Sequence, residues 1–140
     1  MPFTKNENNK ILDMYLRGEA ITPPESLYLG LFTADTGLAD NDLTVAQEIE
    51  YGNYSRVKVR DAVTQTTSAA VNGESVNETA YVFPVATSPG GTPTHAVLLD
   101  ASTDGNVIAF GALAMIGGSR PLEAGLGFAL DLNQVKWSMS

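Results

Sequence analysis

Residues 77–113, NETAYVFPVATSPGGTPTHAVLLDASTDGNVIAFGAL, constrain the fold of this chain more than any other stretch. Apolar side chains alternate with small or polar ones in three short runs, separated by SPGGTP and by Asp104-Gly105. Alternation at period two places one set of side chains on a buried face and the other outside. Segments of this kind build the wall of a β-sandwich. No catalytic residue set lies among them, which points to a structural or binding module.

The rest of the chain extends the pattern. Residues 26–33, SLYLGLFT, set Leu27, Leu29 and Leu31 against Tyr28, Gly30 and Phe32. Both faces are largely apolar, so a central strand covered on both sides is expected. Residues 54–60, YSRVKVR, place Val57 and Val59 on one face and Arg56, Lys58 and Arg60 on the other. Those three make up much of a total of only 8 Lys and Arg. They form either the charged face of an edge strand, which blocks unwanted pairing, or a basic stripe that meets an acidic surface such as another copy of the chain. Asn72-Gly73 predicts a tight turn between polar strands at 63–70 and 73–77. Strands follow at 79–83, 94–100 and 107–115, and a closing hairpin is expected from 128–132 and 134–139.

The one helix candidate is residues 4–17. Thr4 and Glu7 have capping-box spacing, and Gly18 is placed to end the helix. Ile11, Leu12, Tyr15 and Leu16 form an apolar stripe that packs either on this chain's own sheet or on a neighbouring subunit. Residues 34–50 are a long acidic connection with a possible short helical turn at 43–49, and a loop of that length in a small domain has a role or a partner.

The total is one N-terminal helix and about eight or nine strands joined mostly by short turns. The expected fold is all-β, an antiparallel β-sandwich of jelly-roll-like type, with residues 1–20 as a helix docking on the sandwich or a neighbour and 21–140 as a single domain. With 140 residues and 44% hydrophobic content, the chain can bury one core without metal or disulfide support.

Composition excludes several function classes. A formal net charge of -8 repels phosphate backbones, so nucleic acid is not an expected partner. No run of roughly 18 apolar residues occurs, so no membrane-spanning helix is expected. The N-terminus lacks an apolar signal core, which predicts synthesis in a cytoplasm. Cys is absent and His95 is the only histidine, which leaves no expected zinc or transition-metal site and no cofactor. The nucleophile-elbow pattern G-x-S-x-G does not occur, and His95 reads as a packed or hydrogen-bonded strand residue. Asp100-x-Ser102-x-Asp104-Gly105 copies the start of a calcium loop, but Gly111 stands where the bidentate Glu belongs, so a hairpin turn is expected. Tyr51 and Tyr54 offer rings for stacking on a sugar, although tyrosines at a strand entrance usually belong to the core.

Taken in order, five features resemble a family of small phage virion proteins labelled tail fibre proteins. They are the N-terminal helix, TPPESLYLGLFTAD (22–35), EIEYGNYSRVKV (48–59), NETAYVFPVAT (77–87) and THAVLLDASTDGNVIAFGAL (94–113). The resemblance spans nearly the whole chain. Asn53 departs from the family's Gly-Gly-Tyr turn, and Pro93 stands where an apolar residue is commoner.

The resemblance implies a non-enzymatic structural component of a tailed-phage virion, made in the host bacterial cytoplasm and built into tail or fibre in many copies. Its partners would be other virion proteins and copies of itself, as a homo-oligomer. The candidate assembly contacts are Ile11, Tyr15, Arg56, Lys58 and Arg60, and removal of residues 1–18 is expected to abolish assembly and leave a folded sandwich. Two alternatives stay open: a capsid decoration, cement or collar protein, and a carbohydrate- or receptor-binding module with an exposed aromatic cluster at Tyr51 and Tyr54.

Overall fold

The structure, a computed structural model, describes residues 1–138. It is an antiparallel β-sandwich with one N-terminal helix. After α1 (Lys5–Arg17) come β1 (Leu27–Phe32), β2 (Val57–Arg60), β3 (Glu74–Val76), β4 (Tyr81–Phe83), β5 (His95–Leu99), β6 (Val107–Ala112), β7 (Phe128–Leu130) and β8 (Lys136–Ser138).

One layer is a four-stranded sheet of order β2-β1-β5-β6. Thus β1 is central, as its two apolar faces predict, and β2 is an edge. The other layer is a two-stranded ribbon in two segments, β3 on β8 and β4 on β7. Between the layers lies the main core. Leu29, Leu31, Ala96, Leu98 and Ile108 of the sheet meet Tyr81, Phe83, Phe128, Leu130 and Trp137 of the ribbon. Phe83 and Phe128 pair directly across the ribbon, with ring centroids 6.1 Å apart and edge-to-face, the arrangement aromatic quadrupoles favour.

The second face of the four-stranded sheet is covered by a loop. The acidic connection that follows β1 folds back so that Leu38 is buried with Phe32, Val97, Leu99 and Val107. Its end pairs with the start, through Ile49 N–H to Leu31 O at 2.9 Å and Thr33 N–H to Gln47 O at 2.8 Å. The connection is long because it must cross a sheet face and return. It contains turns and no helix at 43–49.

Four expectations need correction. The strand expected at 63–70 does not form; Gln65 and Thr67 make only isolated bridges, to Arg60 and Asn77. No hairpin joins β7 to β8; each pairs with an earlier strand, and Met139 lies outside the described residues. Alternation tells which face a residue takes but not which edge its strand finds. The expected strand at 107–115 ends at Ala112, and Leu113–Met115 form a 3-10 turn that buries Leu113. The predicted capping box is also absent. Thr4 precedes α1 in an extended conformation, but its hydroxyl donates to Val107 O at 3.2 Å, and Glu7 pairs with Lys10 instead. The buried carbonyl of β6 takes the hydroxyl that an isolated helix would have used for itself.

That contact belongs to a wider one. Residues 1–4 bridge the edges of the two layers: Phe3 N–H donates to Ser138 O at 3.2 Å, Ser138 N–H to Met1 O at 3.1 Å, and Thr4 N–H to Ile108 O at 2.9 Å. Phe3 packs against the core. Residues 1–4, ahead of α1, are thus hydrogen-bonded to both layers of the sandwich. The helix ends at Gly18 in a left-handed conformation, as predicted.

Candidate functional site

The basic stripe read from β2 divides in three. Arg56 is turned inward, its side chain 4% exposed. Its Nε donates to Glu48 Oε2 and its Nη2 to Glu48 Oε1, both at 2.8 Å. Its Nη1 donates to the carbonyls of Ala101 and Asp104 at 2.7 and 2.9 Å. Lys58 points outward, 3.5 Å from Asp61. Arg60 reaches back and donates to Pro24 O. The three cations thus serve three separate places, and Arg56 is engaged by its own chain.

Tyr54 completes the cluster around Arg56. Its hydroxyl donates to Glu48 Oε2 at 2.7 Å and accepts from Leu31 N–H at 3.0 Å. Burial, reinforced by the Glu48 carboxylate, pushes the phenol well above its usual range. The cluster lies on Gly30 of β1, where a Cβ would come within 2.9 Å of Glu48 Oε2 and 3.2 Å of the Tyr54 hydroxyl. A side chain at residue 30 would displace it. Glu48, Tyr54 and Arg56 all come from the EIEYGNYSRVKV block, so that block encodes an internal clamp.

Tyr51 is buried as well. Its hydroxyl donates to Pro84 O at 2.6 Å, and its ring meets that of Tyr54 edge-on at 5.4 Å. Neither ring is presented to solvent as a sugar platform. Asn53, which departs from the family's glycine, donates to Val85 O at 2.6 Å and so ties the turn to the ribbon layer.

Asp100–Asn106 is the loop of the β5–β6 hairpin. Asp100 Oδ1 accepts from Asn106 N–H at 2.6 Å and Oδ2 from the Asn106 amide at 2.9 Å. Two carbonyls of the loop, those of Ala101 and Asp104, face the Arg56 guanidinium. Among the described residues no group of His, Cys, Asp or Glu is gathered as a metal site. His95 is half-buried, with Nδ1 2.9 Å from Thr94 Oγ1. No helix among the described residues is long and apolar enough to cross a membrane.

α1 leaves one apolar face unused by the chain. None of its residues is buried. Ile11 is half-buried against a groove of about 840 Å³, whose floor includes Leu98 and Ile108 and whose rim includes Pro24 and Arg60. Leu12, Tyr15 and Leu16 face outward, 54%, 78% and 79% exposed. Sequence reasoning singled out Ile11 and Tyr15. The i, i+4 pair Leu12 and Leu16 is more exposed than Ile11, because only one edge of the wide apolar stripe leans on the body.

Sequence reasoning missed Asn77. Fully buried, it donates from Nδ2 to Thr79 O and Asp131 O, each at 2.8 Å, and accepts Val135 N–H on Oδ1 at 3.0 Å. It holds the kink between the two segments of the ribbon. An Asn in a polar run carries no periodic signal that would mark it.

A family model described as podophage GP4 fiber I protein gp80 matches residues 2–138. This protein belongs to that family. The match takes in the helix, the sheet, the clamp and the ribbon, so fiber I membership rests on the entire fold rather than on one motif. Membership places the chain among phage tail-fibre structural proteins, which act in the virion in association with other virion proteins. No curated protein matches the chain.

Proposed function

We propose that this fiber I protein is a non-enzymatic structural component of a tailed-phage fibre and works by assembly of many copies. The observation that carries the reading is the outer face of α1. Leu12, Tyr15 and Leu16 stand in solvent on a helix that no contact within the chain buries. Burying a large apolar side chain gains about 1.5–3 kcal/mol, and a surface of this kind marks an interaction site. A compact chain of 140 residues has a radius of gyration of only about 14 Å. A fibre built from such units needs contacts between them.

The clamp and the hairpin loop support the same reading. The polar groups that could have served chemistry or ligand binding are paired internally: Arg56 with Glu48, Asp100 with Asn106, Tyr51 with Pro84. The rigid body then acts as a carrier for α1.

The test is the variant Leu12→Gln/Tyr15→Gln/Leu16→Gln. Its melting temperature stays near that of the parent, it does not form the parent's oligomers in light scattering, and it is not incorporated into virions. Wild-type oligomers and incorporation would overturn the reading. Labelled antibody on intact particles marks the tail; label on the head shell would assign the chain to capsid decoration instead.

A further inference from the structure

We propose that α1 of one copy docks on the acidic connection after β1 of the next copy, in a head-to-tail contact. This rests on the multi-copy reading above and names its partner surface.

Along a strand, successive side chains point to opposite faces. The groove beside α1 has Leu98 of β5 and Ile108 of β6 on its floor. The acidic connection packs its Leu38 on Val97, Leu99 and Val107 of the same two strands. The helix and the connection therefore sit on opposite faces of the four-stranded sheet. Within one copy the two approach each other only at the start of α1, where Thr4 Oγ1 and Asn41 Oδ1 both bond the backbone of Val107, while the outer face of the helix at Leu12, Tyr15 and Leu16 stays in solvent. Contact between these two different surfaces is heterologous, and such contacts propagate from copy to copy into a ring or a filament.

Charge selects the occupant. Residues 33–50 contain five carboxylates and no Lys or Arg. Glu48 is held by Arg56, while Asp35, Asp40, Asp42 and Glu50 remain exposed. Exposed Ala39 and Val45 lie among them. In an acidic protein, α1 carries three of the 8 cations: Lys5, Lys10 and Arg17. Arg17 pairs with Glu19 at an exposed position, which holds its charge only weakly, and Lys10 pairs with the half-buried Glu7 at 2.8 Å. α1 also carries Glu7 and Asp13, so its positive excess is one charge, placed by Lys5 and Arg17 at its two ends, and its exposed apolar stripe faces a counterpart elsewhere on the molecule in exposed Ala39 and Val45 among four exposed carboxylates. Such complementarity sets partner choice and register.

Two charge-reversal variants test this, both at exposed positions and both checked for unchanged circular dichroism. One is Lys5→Glu/Arg17→Glu and the other is Asp35→Lys/Asp40→Lys. Each alone is expected to weaken self-association by about tenfold or more, since like charges then face each other. An equal mixture restores it, because the reversed helix of the first fits the reversed connection of the second. If Asp35→Lys/Asp40→Lys assembles like the parent, the helix meets something other than the connection, a second helix for example, and the head-to-tail contact is wrong while multi-copy assembly stands. A mixture that stays unassembled also overturns the contact. A parent chain that remains monomeric at every concentration removes the multi-copy reading itself.

Discussion

Arg56 and Glu48 face each other in a two-pronged ion pair, both N–O distances 2.8 Å, on the loop-covered face of the sheet. Because Arg56 also holds two carbonyls of the β5–β6 loop, the pair joins three parts of the chain: the acidic connection, β2's approach and that hairpin. Breaking a buried pair from one side leaves an uncompensated charge and costs about 3–5 kcal/mol. Arg56→Ala and Glu48→Ala are each expected to lower stability by that order in urea titration. Arg56→Lys is not expected to rescue, since an ammonium cannot reproduce the planar fork. A full rescue by Lys would mean that the geometry of the fork is immaterial.

Asn77 gives a second expectation. Asn77→Ala strands the buried Val135 N–H, which costs about 1–3 kcal/mol, and removes the amide that ties Thr79 O to Asp131 O. Asn77→Asp keeps the shape and the acceptor but loses the donor and sets a carboxyl against the carbonyls of Thr79 and Asp131. That environment favours the protonated acid, so its folded pKa lies above its unfolded one. Stability of Asn77→Asp is therefore greatest at low pH and falls as pH rises through the carboxyl's range. Unfolding midpoints that do not change with pH, relative to the parent, would contradict this placement.

The tyrosines predict alkaline sensitivity. Burial raises the phenols of Tyr51, Tyr54 and Tyr81 above the ordinary value of 10.0. A group with a raised folded pKa holds its proton more tightly when folded. Its stabilisation is complete below the unfolded value and is lost as pH rises above it. Stability is expected to hold at neutral pH and to fall above about pH 10, with a shallower fall in Tyr54→Phe. Melting temperatures recorded across that range check it, and equal slopes for the two proteins would refute the role given to Tyr54.

Residues 1–4 and α1 should behave differently although they are neighbours. Thr4→Val keeps the packing but loses the hydroxyl on Val107 O, which costs about 1 kcal/mol. Tyr15→Gln, on an exposed helix face, stays within about 0.5 kcal/mol of the parent. Deletion of residues 1–18 therefore reports on two things at once, and a loss of fold in that truncation reflects the bridging residues 1–4 rather than the helix. Equal effects of Thr4→Val and Tyr15→Gln on thermal unfolding would show that no such boundary exists.

The sequence by itself determined the local character of nearly every element. Strands formed within the runs expected at 26–33, 54–60, 94–100 and 107–115, although β5 is buried on both faces rather than one. Asn72 and Gly73, both at positive φ, made the predicted turn, and the apolar stripe of the helix was visible residue by residue. These features depend on neighbours a few positions apart, so a linear reading reaches them. Tertiary structure decided which strands meet and which charges are spent. That β8 pairs β3 and β7 pairs β4, that Thr4 bonds β6 instead of capping its helix, and that Arg56 turns inward while Lys58 stays in water all rest on partners between 8 and 103 positions away. Alternation specifies a face but not a partner, and a charge pattern reads the same whether the arginine meets solvent or a carboxylate brought beneath it by a returning loop.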